Sequence, residues 1–344
     1  MVLSSQNIYN GKSKDIVGRG VKERIWETIL FHKKYTPFWR NILNDDDVYK
    51  FKNSLEKDDV PSFLEELVNS LYSKNPELLN PDRIRTEWKL FRPEYPIFVR
   101  WYQSSGTMGD EANISAWSYD DLERIVDFLV KHMKSIYEFN PSVALLIGPY
   151  GWFQEENTQL VYRSGAKYAY FVGVEVLGLK KLSEEEMRKR LEPTIKRIHQ
   201  YLRRDPEIDT IRSAPLLYEI FPRDTIRHFI TSGFGMDIET IKNMGNWFYR
   251  ARIIPFYGDS MFGDAIGIVD NKGITYYPPD YVFIYPVRKK EKKIEIVEKG
   301  EEGYKLFTRF WKSGMYVFID NKELIGRAGY SDIFGREGFS NPRR

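Results

Sequence analysis

The chain has 344 residues, 42% hydrophobic and 15% aromatic, enough to bury a large core as one big domain or two fused lobes. Lys and Arg number 52 against 49 Asp and Glu, and a net charge of +3 supplies no strong field for nucleic acid. The absence of cysteine excludes disulfides, thiolate zinc sites and a cysteine nucleophile.

Residues 1–20 are polar, with Asn10-Gly11 and Gly18-Arg19-Gly20, and read as a loose arm. Ile25, Ile29 and Leu30 predict a helix from Lys22 to Leu43, interrupted at Thr36-Pro37-Phe38-Trp39 because proline breaks the hydrogen-bond ladder. Residues 44–90 read as further short helices, one over Ser62 to Leu71 and one starting at Asn80-Pro81-Asp82. Tyr95 to Tyr102 is rich in β-branched and aromatic residues and predicts a strand. The segment Gln103 to Asp110 follows, directly before a helix that Ser118 and Asp121 start as a capping box. Leu122, Ile125, Val126, Leu129, Met133 and Ile136 line one face of that helix.

Val143 to Ile147, ended by Gly148-Pro149, has the pattern of a buried strand, and Tyr168 to Leu179 supplies a second. Ser183 caps a long charged helix to about Arg204, whose basic end reads as a solvated face. Pro215 to Ile230 predicts another strand region and a turn, and Asp237 to Trp247 a short helix before Ile253 to Tyr257. The last hundred residues or so turn β-rich: Ile266–Val269, Tyr281–Val287, Ile294–Val297, Tyr304–Phe310 and Met315–Ile319 alternate with turn signals. Asp270-Asn271-Lys272-Gly273 and Asp320-Asn321-Lys322-Glu323 are two of those turns. Arg288 to Lys293 reads as an exposed hairpin edge, where lysines discourage sheet-to-sheet aggregation. This order predicts an α/β fold, a core of mixed sheets and packed helices followed by a β-rich subdomain.

The four histidines lie far apart with no His-x-x-x-His pair, so a histidine metal site is not expected. No run approaches the roughly 18 apolar residues of a membrane span and the start lacks a signal-like core, so the expectation is a cytoplasmic protein without a membrane span. Many Lys, Arg, Glu, Ile and Tyr with no Cys point to a thermophilic source.

The stretch with the clearest chemistry is Ser104-Ser105-Gly106-Thr107-Met108-Gly109. Its glycines let the backbone turn and approach a ligand, and its hydroxyls can donate to phosphate oxygens or reach a metal ion. It lacks the Gly-Lys-Ser/Thr ending of a Walker loop and is not GxGxxG, and a Ser/Gly stretch is also an ordinary turn.

Taken together, these segments resemble the acyl-adenylate-forming enzymes, in particular the branch of phenylacetate–CoA ligase and the acyl-protein synthetases. Ser104 to Gly109 is similar to that family's Ser-Ser-Gly-Thr-Thr-Gly phosphate loop, with Met108 replacing a Thr. Phe31 to Trp39, Tyr150-Gly151-Trp152-Phe153 and Gly165-Ala166 resemble further elements of that branch. Tyr257-Gly258-Asp259-Ser260-Met261 resembles Tyr-Gly-x-Ser-Glu, Glu301-Glu302-Gly303-Tyr304 a late Gly-Glu-Gly-Glu turn, and Gly326-Arg327 with Arg336-Glu337-Gly338 the hinge segment. The resemblance implies an N-terminal helical part over 1–90, a nucleotide- and acyl-binding core over 91–255, a β-rich subdomain over 256–325 and a hinge-like segment over 326–344.

It also implies chemistry. ATP and a small carboxylic acid would give an acyl-adenylate and pyrophosphate before transfer to an acceptor. Ser104, Ser105, Gly106, Thr107 and Gly109 would hold the phosphates, and Tyr257 and Gly258 would meet adenine. Asp320 and Arg327 would meet the ribose, and Thr107, Asp259 and Asp264 would hold Mg2+. Trp152, Phe153, Tyr168, Phe234 and Trp247 would wall an acyl pocket for a bulky apolar acid, or belong to the core. Tyr257, Asp320 and Arg327 have plain structural readings as well.

The chain departs from the family at Asp110-Glu111 and at Met261, which stands where a magnesium-binding Glu is usual, and its match ends at the hinge. No catalytic lysine is recognisable. Two expectations stay open. One is an AMP-forming ligase completed by a protein partner that supplies the mobile C-terminal domain or the acyl acceptor. The other is a catalytically degenerate nucleotide- or acyl-binding protein with a regulatory or scaffold role.

Overall fold

The computed structural model describes residues 19–343, apart from 58, 95–99, 104–113, 175–181, 233–237, 260–262, 271, 278–281, 292 and 335. The chain divides into two compact units, residues 1–99 with 276–344, and Arg100–Thr275.

The first unit opens with helices. α1 (Arg19–Tyr35) and α2 (Pro37–Ile42) are separated at Thr36, because Pro37 cannot continue α1 but can begin α2, where its missing N–H has no partner to lose. α3 (Asp45–Lys57) and α4 (Val60–Lys74) follow, α4 started by the Asp59 carboxylate accepting from the Ser62 N–H. Asn80 accepts from the Asp82 N–H and starts α5 (Pro81–Thr86), as Asn80-Pro81-Asp82 predicts.

The second unit begins with a hairpin, β1 (Arg100–Gln103) antiparallel to β2 (Ile114–Trp117). The Ser/Gly/Thr segment therefore does not run directly into the helix: β2 intervenes, with Ala116 and Trp117 buried. Ser118 and Asp121 form the predicted capping box of α6 (Tyr119–Tyr137), which buries Leu122, Ile125, Val126, Leu129 and Met133. β3 (Val143–Gly148), α7 (Trp152–Ser164), β4 (Tyr168–Gly173), α8 (Glu184–Arg204) and β5 (Ile208–Ser213) come next. The chain continues with β6 (His228–Ser232), α9 (Ile238–Trp247), β7 (Arg252–Asp259), β8 (Gly263–Val269) and β9 (Ile274–Tyr276). In the sheet these strands lie in the order β9-β8-β7-β6-β5-β3-β4. β4, β3, β5, β6 and β7 are parallel, and β8 returns antiparallel to β7.

One sequence expectation is refined here. The predicted strand region over 215–230 is a 3-10 turn, Pro215–Ile220, followed by β6, and the strand before it is β5. Helix α7 carries the predicted Tyr150–Phe153 and Gly165-Ala166 elements at its two ends.

The C-terminal part of the first unit is an antiparallel sheet in the order β11-β10-β12-β13-β14. Its strands are β10 (Val282–Lys290), β11 (Lys293–Ile296), β12 (Glu302–Trp311), β13 (Gly314–Ser331) and β14 (Arg336–Arg343). The basic run is the exposed end of the β10–β11 hairpin, as expected. The edge of β11 is covered by α4. The Asn69 amide donates to the Ile294 carbonyl at 2.9 Å and accepts from its N–H at 2.7 Å, and the Glu65 carboxylate accepts from the Ile296 N–H at 2.6 Å. Asn69→Ala leaves both Ile294 groups without these partners and is expected to cost about 1–3 kcal/mol in urea unfolding.

Asp320 to Glu323 does not end a strand as predicted. The Asx-type bond is present, from the Lys322 N–H to Asp320 at 2.9 Å, but β13 runs on to Ser331. The pairing jumps from Lys305↔Asp320 to Tyr304↔Leu324, so the turn signal appears as a bulge inside a long strand. Among the described residues no helix is long and apolar enough to cross a membrane.

Candidate nucleotide site

The parallel strands of the second unit reverse direction of progress once. From β3 the chain moves outward through α7 to β4, then returns through α8 to β5 on the other side of β3. Open α/β sheets bind ligands outside the carboxyl ends of their strands at such a switch point. Gly148-Pro149 at the end of β3 and Ser213-Ala214-Pro215 at the end of β5 mark that place.

Close packing at this edge depends on two glycines. A Cβ on Gly148 would lie 2.2 Å from the Phe153 ring, so only glycine lets that ring settle on the end of β3. A Cβ on Gly173 would lie 2.2 Å from the ring of Tyr150. Tyr150 is 71% exposed and tilts against Phe171 at 5.3 Å, giving an aromatic face open to solvent.

Arg212, near the end of β5, is 1% exposed. Its Nε donates to the Asn157 Oδ1 at 2.9 Å, and its terminal nitrogens donate to the Ser232 hydroxyl and, at 3.4 Å, to the Ser213 carbonyl. The guanidinium lies over Phe153 at 4.7 Å and Phe256 at 5.8 Å. Asn157 is itself fixed by donating to the Phe153 carbonyl at 2.7 Å. One buried cation thus joins α7, β5, β6 and β7.

The opposite, amino edge holds a different network. Asp209 accepts from the Ser142 N–H at 3.0 Å and the Val143 N–H at 3.3 Å. His228 is buried there with Phe139 edge-on at 5.0 Å, and desolvation lowers its pKa to about 4.

The predicted site residues are placed as follows. Ser104, Ser105, Gly106, Thr107 and Gly109 lie outside the described residues, between Gln103 and Ile114, which are paired as the last residues of the β1–β2 ladder. Tyr257 on β7 is buried and pairs with Gly267, and the β7–β8 register shifts across Gly258. Asp259 and Asp264 stand on the two strands of that same hairpin, with Asp259 paired to Gly263. Among the described residues no group of three His, Cys, Asp or Glu could hold a metal ion.

Asp320 and Arg327 belong to β13 in the first unit, where both have structural partners. Asp320 faces the Lys305 ammonium at 3.9 Å. Arg327 donates to Glu337 at 3.1 and 3.4 Å and to the Val297 carbonyl at 3.0 Å. Burial works to lower the Arg327 pKa, and Glu337 outweighs it and holds the guanidinium above its ordinary value.

Among the described residues, three of the expected acyl-pocket aromatics lie at two different edges of the sheet. Phe153 is at the carboxyl edge, whereas Tyr168 starts β4 and Trp247 ends α9, both toward the amino edge. There Tyr168 bonds Asp205 and Trp247 packs under Arg223 at 3.6 Å. Phe234 lies outside the described residues. Sequence reading did not find Arg212, Asn157 or Ser232, and the available signal was a lone arginine beside Ala214-Pro215, ahead of Thr231-Ser232-Gly233.

No protein-family model and no curated protein matches the sequence. The fold does match crystal structures of a 2-hydroxyisobutyryl-CoA ligase. An open conformation in complex with 2-HIB-AMP and CoA matches at a TM-score of 0.61 and 13% identity, over 94% of this chain and 73% of that one. The thioesterification-state complex gives 0.61 and 12% over 96% and 68%. The postadenylation state with R3-HIB-AMP gives 0.62 and 12% over 94% and 66%, so this chain spans about two thirds to three quarters of that ligase. The likeness shows an α/β adenylating-enzyme fold.

Proposed function

We propose that the chain binds ATP and a small carboxylic acid and joins them as an acyl-adenylate. The supporting observation is that the Ser104–Gly109 segment falls between the strands of a hairpin just before α6, in a chain with the fold of an acyl-AMP-forming ligase. A carboxylate oxygen would attack the α-phosphorus as the bond to pyrophosphate breaks, so negative charge on the phosphates has to be met by donors already in place. Ser104, Ser105, Gly106, Thr107 and Gly109 supply those donors as hydroxyls and backbone N–H groups. Thr107, Asp259 and Asp264 offer the oxygen ligands that Mg2+ takes, whereas the Met261 thioether is a poor ligand for it. Tyr257 and Gly258 take the adenine end. Asp320 and Arg327 remain the proposed ribose contacts. In this reading a protein partner supplies the mobile C-terminal domain or the acyl acceptor.

Calorimetric titration with ATP and magnesium tests this reading. Micromolar binding is expected, with Thr107→Val weaker by about 10- to 100-fold through loss of one bond to a charged group. Pyrophosphate release with a panel of acids, with and without a C-terminal domain added in trans, then tests turnover. The second reading, nucleotide binding without turnover, is favoured by Asp110-Glu111 beside the phosphate segment and by Met261, which stands where a magnesium-binding Glu is usual. Tight AMP binding with no pyrophosphate release from any acid would establish it over the ligase reading.

A further inference from the structure

We propose that Arg212 is a positioning residue of the nucleotide site, setting the ends of β6 and β7 that carry its adenine side; this rests on the nucleotide reading of Tyr257 and Gly258. The guanidinium bonds the side chain of Ser232, the last residue of β6, and lies over Phe256, the residue before Tyr257 on β7. Ser232 and Phe256 are themselves register partners, so Arg212 holds both strands at one level of the sheet. Its other side is clamped by α7 through Asn157 at 2.9 Å and Phe153 at 4.7 Å, and Phe153 is seated on Gly148 at the switch point. The planar fork reaches three acceptors and two rings at once, which a lysine ammonium on a flexible stem cannot reproduce. The Arg212 side chain leaves the sheet on the face shared with Ser232 and Phe256, and Tyr257 alternates to the opposite face. Arg212 therefore acts through the backbone of β7 and not by touching the base.

The test titrates wild type, Arg212→Lys and Ser232→Ala with adenosine, AMP and magnesium-ATP, at a temperature where chemical denaturation shows each variant folded. Arg212→Lys is expected to weaken all three ligands by about tenfold and by a common factor, because the end being positioned is the base. Ser232→Ala is expected to weaken them by about threefold with little change in melting temperature, a pattern that a purely structural role does not produce. Unchanged affinity in both folded variants overturns the proposal, as does a loss confined to ATP, which would place the effect at the phosphates. If Arg212→Lys does not fold, unchanged affinity in Ser232→Ala alone overturns it. Wild type binding none of the three ligands removes the nucleotide reading itself, an outcome distinct from wild type binding with insensitive variants.

Discussion

Lys305→Met is expected to destabilise the protein by about 3–5 kcal/mol, the range for breaking a buried ion pair from one side. The Lys305 side chain is 1% exposed, and its ammonium contacts Glu323, 6% exposed, and faces Asp320 at 3.9 Å. All three sit at the bulge where β12 and β13 change register, so the cation holds together two acids that the strand brings close. Removing it leaves two carboxylates in a nearly dry site with their solvation lost and their counter-charge gone. Methionine fills much of the lysine stem, so the loss reports charge more than volume. The double variant Lys305→Met, Glu323→Leu should recover part of the loss, since it removes the more buried of the two carboxylates left without a counter-charge and leaves only Asp320. Urea unfolding of the two single variants and the double gives the coupling energy directly. A loss below about 1 kcal/mol in Lys305→Met would mean that water reaches the site and that the triad contributes as little as a surface pair.

The elements most legible in the sequence were those whose own residues close their hydrogen bonds. The capping box at Ser118 and Asp121, the Ser183–Glu186 start of α8 and the Asn80-Pro81 start of α5 are local chemistry and appear where read. β3 was legible because Val143 to Ile147 is buried on both faces and therefore apolar throughout. β5 was not, because Ile208-Asp209-Thr210-Ile211-Arg212-Ser213 is equally buried but mostly polar. Its two charged groups are met by partners far along the chain, Asp209 by Ser142 and Val143 and Arg212 by Asn157 and Ser232. No periodicity announces partners of that kind. The turn at Asp320 shows the converse failure, where local chemistry was read correctly but its setting inside a paired strand was decided by β12.

Acidification from pH 7 to pH 5 is expected to remove about 4 kcal/mol of stability, close to 2 kcal/mol from each of two histidines, since one pKa unit is about 1.36 kcal/mol. His32 is fully buried between the Thr36 hydroxyl and the Trp311 carbonyl, each at 2.7 Å, an arrangement that suits a neutral ring with its proton on Nε2. Desolvation, reinforced by the charge of Arg309, lowers its pKa to about 3 against the bond to Trp311. His228 in the second unit is lowered to about 4, chiefly by desolvation, with Arg227 and Arg252 acting in the same direction and Asp209 against. In both cases the folded pKa lies below the unfolded value of 6.5, so between those values the unfolded chain binds more protons. Stability is therefore fully present above about pH 6.5 and is lost as pH falls, toward about 4 for His228 and about 3 for His32. His32→Gln should lower stability at pH 7, where it disturbs two buried bonds, yet reduce the pH 7-to-5 slope by about half because one titrating group is gone. Equilibrium unfolding at the two pH values, with His228→Gln alongside, separates the contributions of the two units. A wild-type stability that is flat across this range would show that both rings titrate in the fold as they do in the unfolded chain, because water or an acceptor reaches each of them.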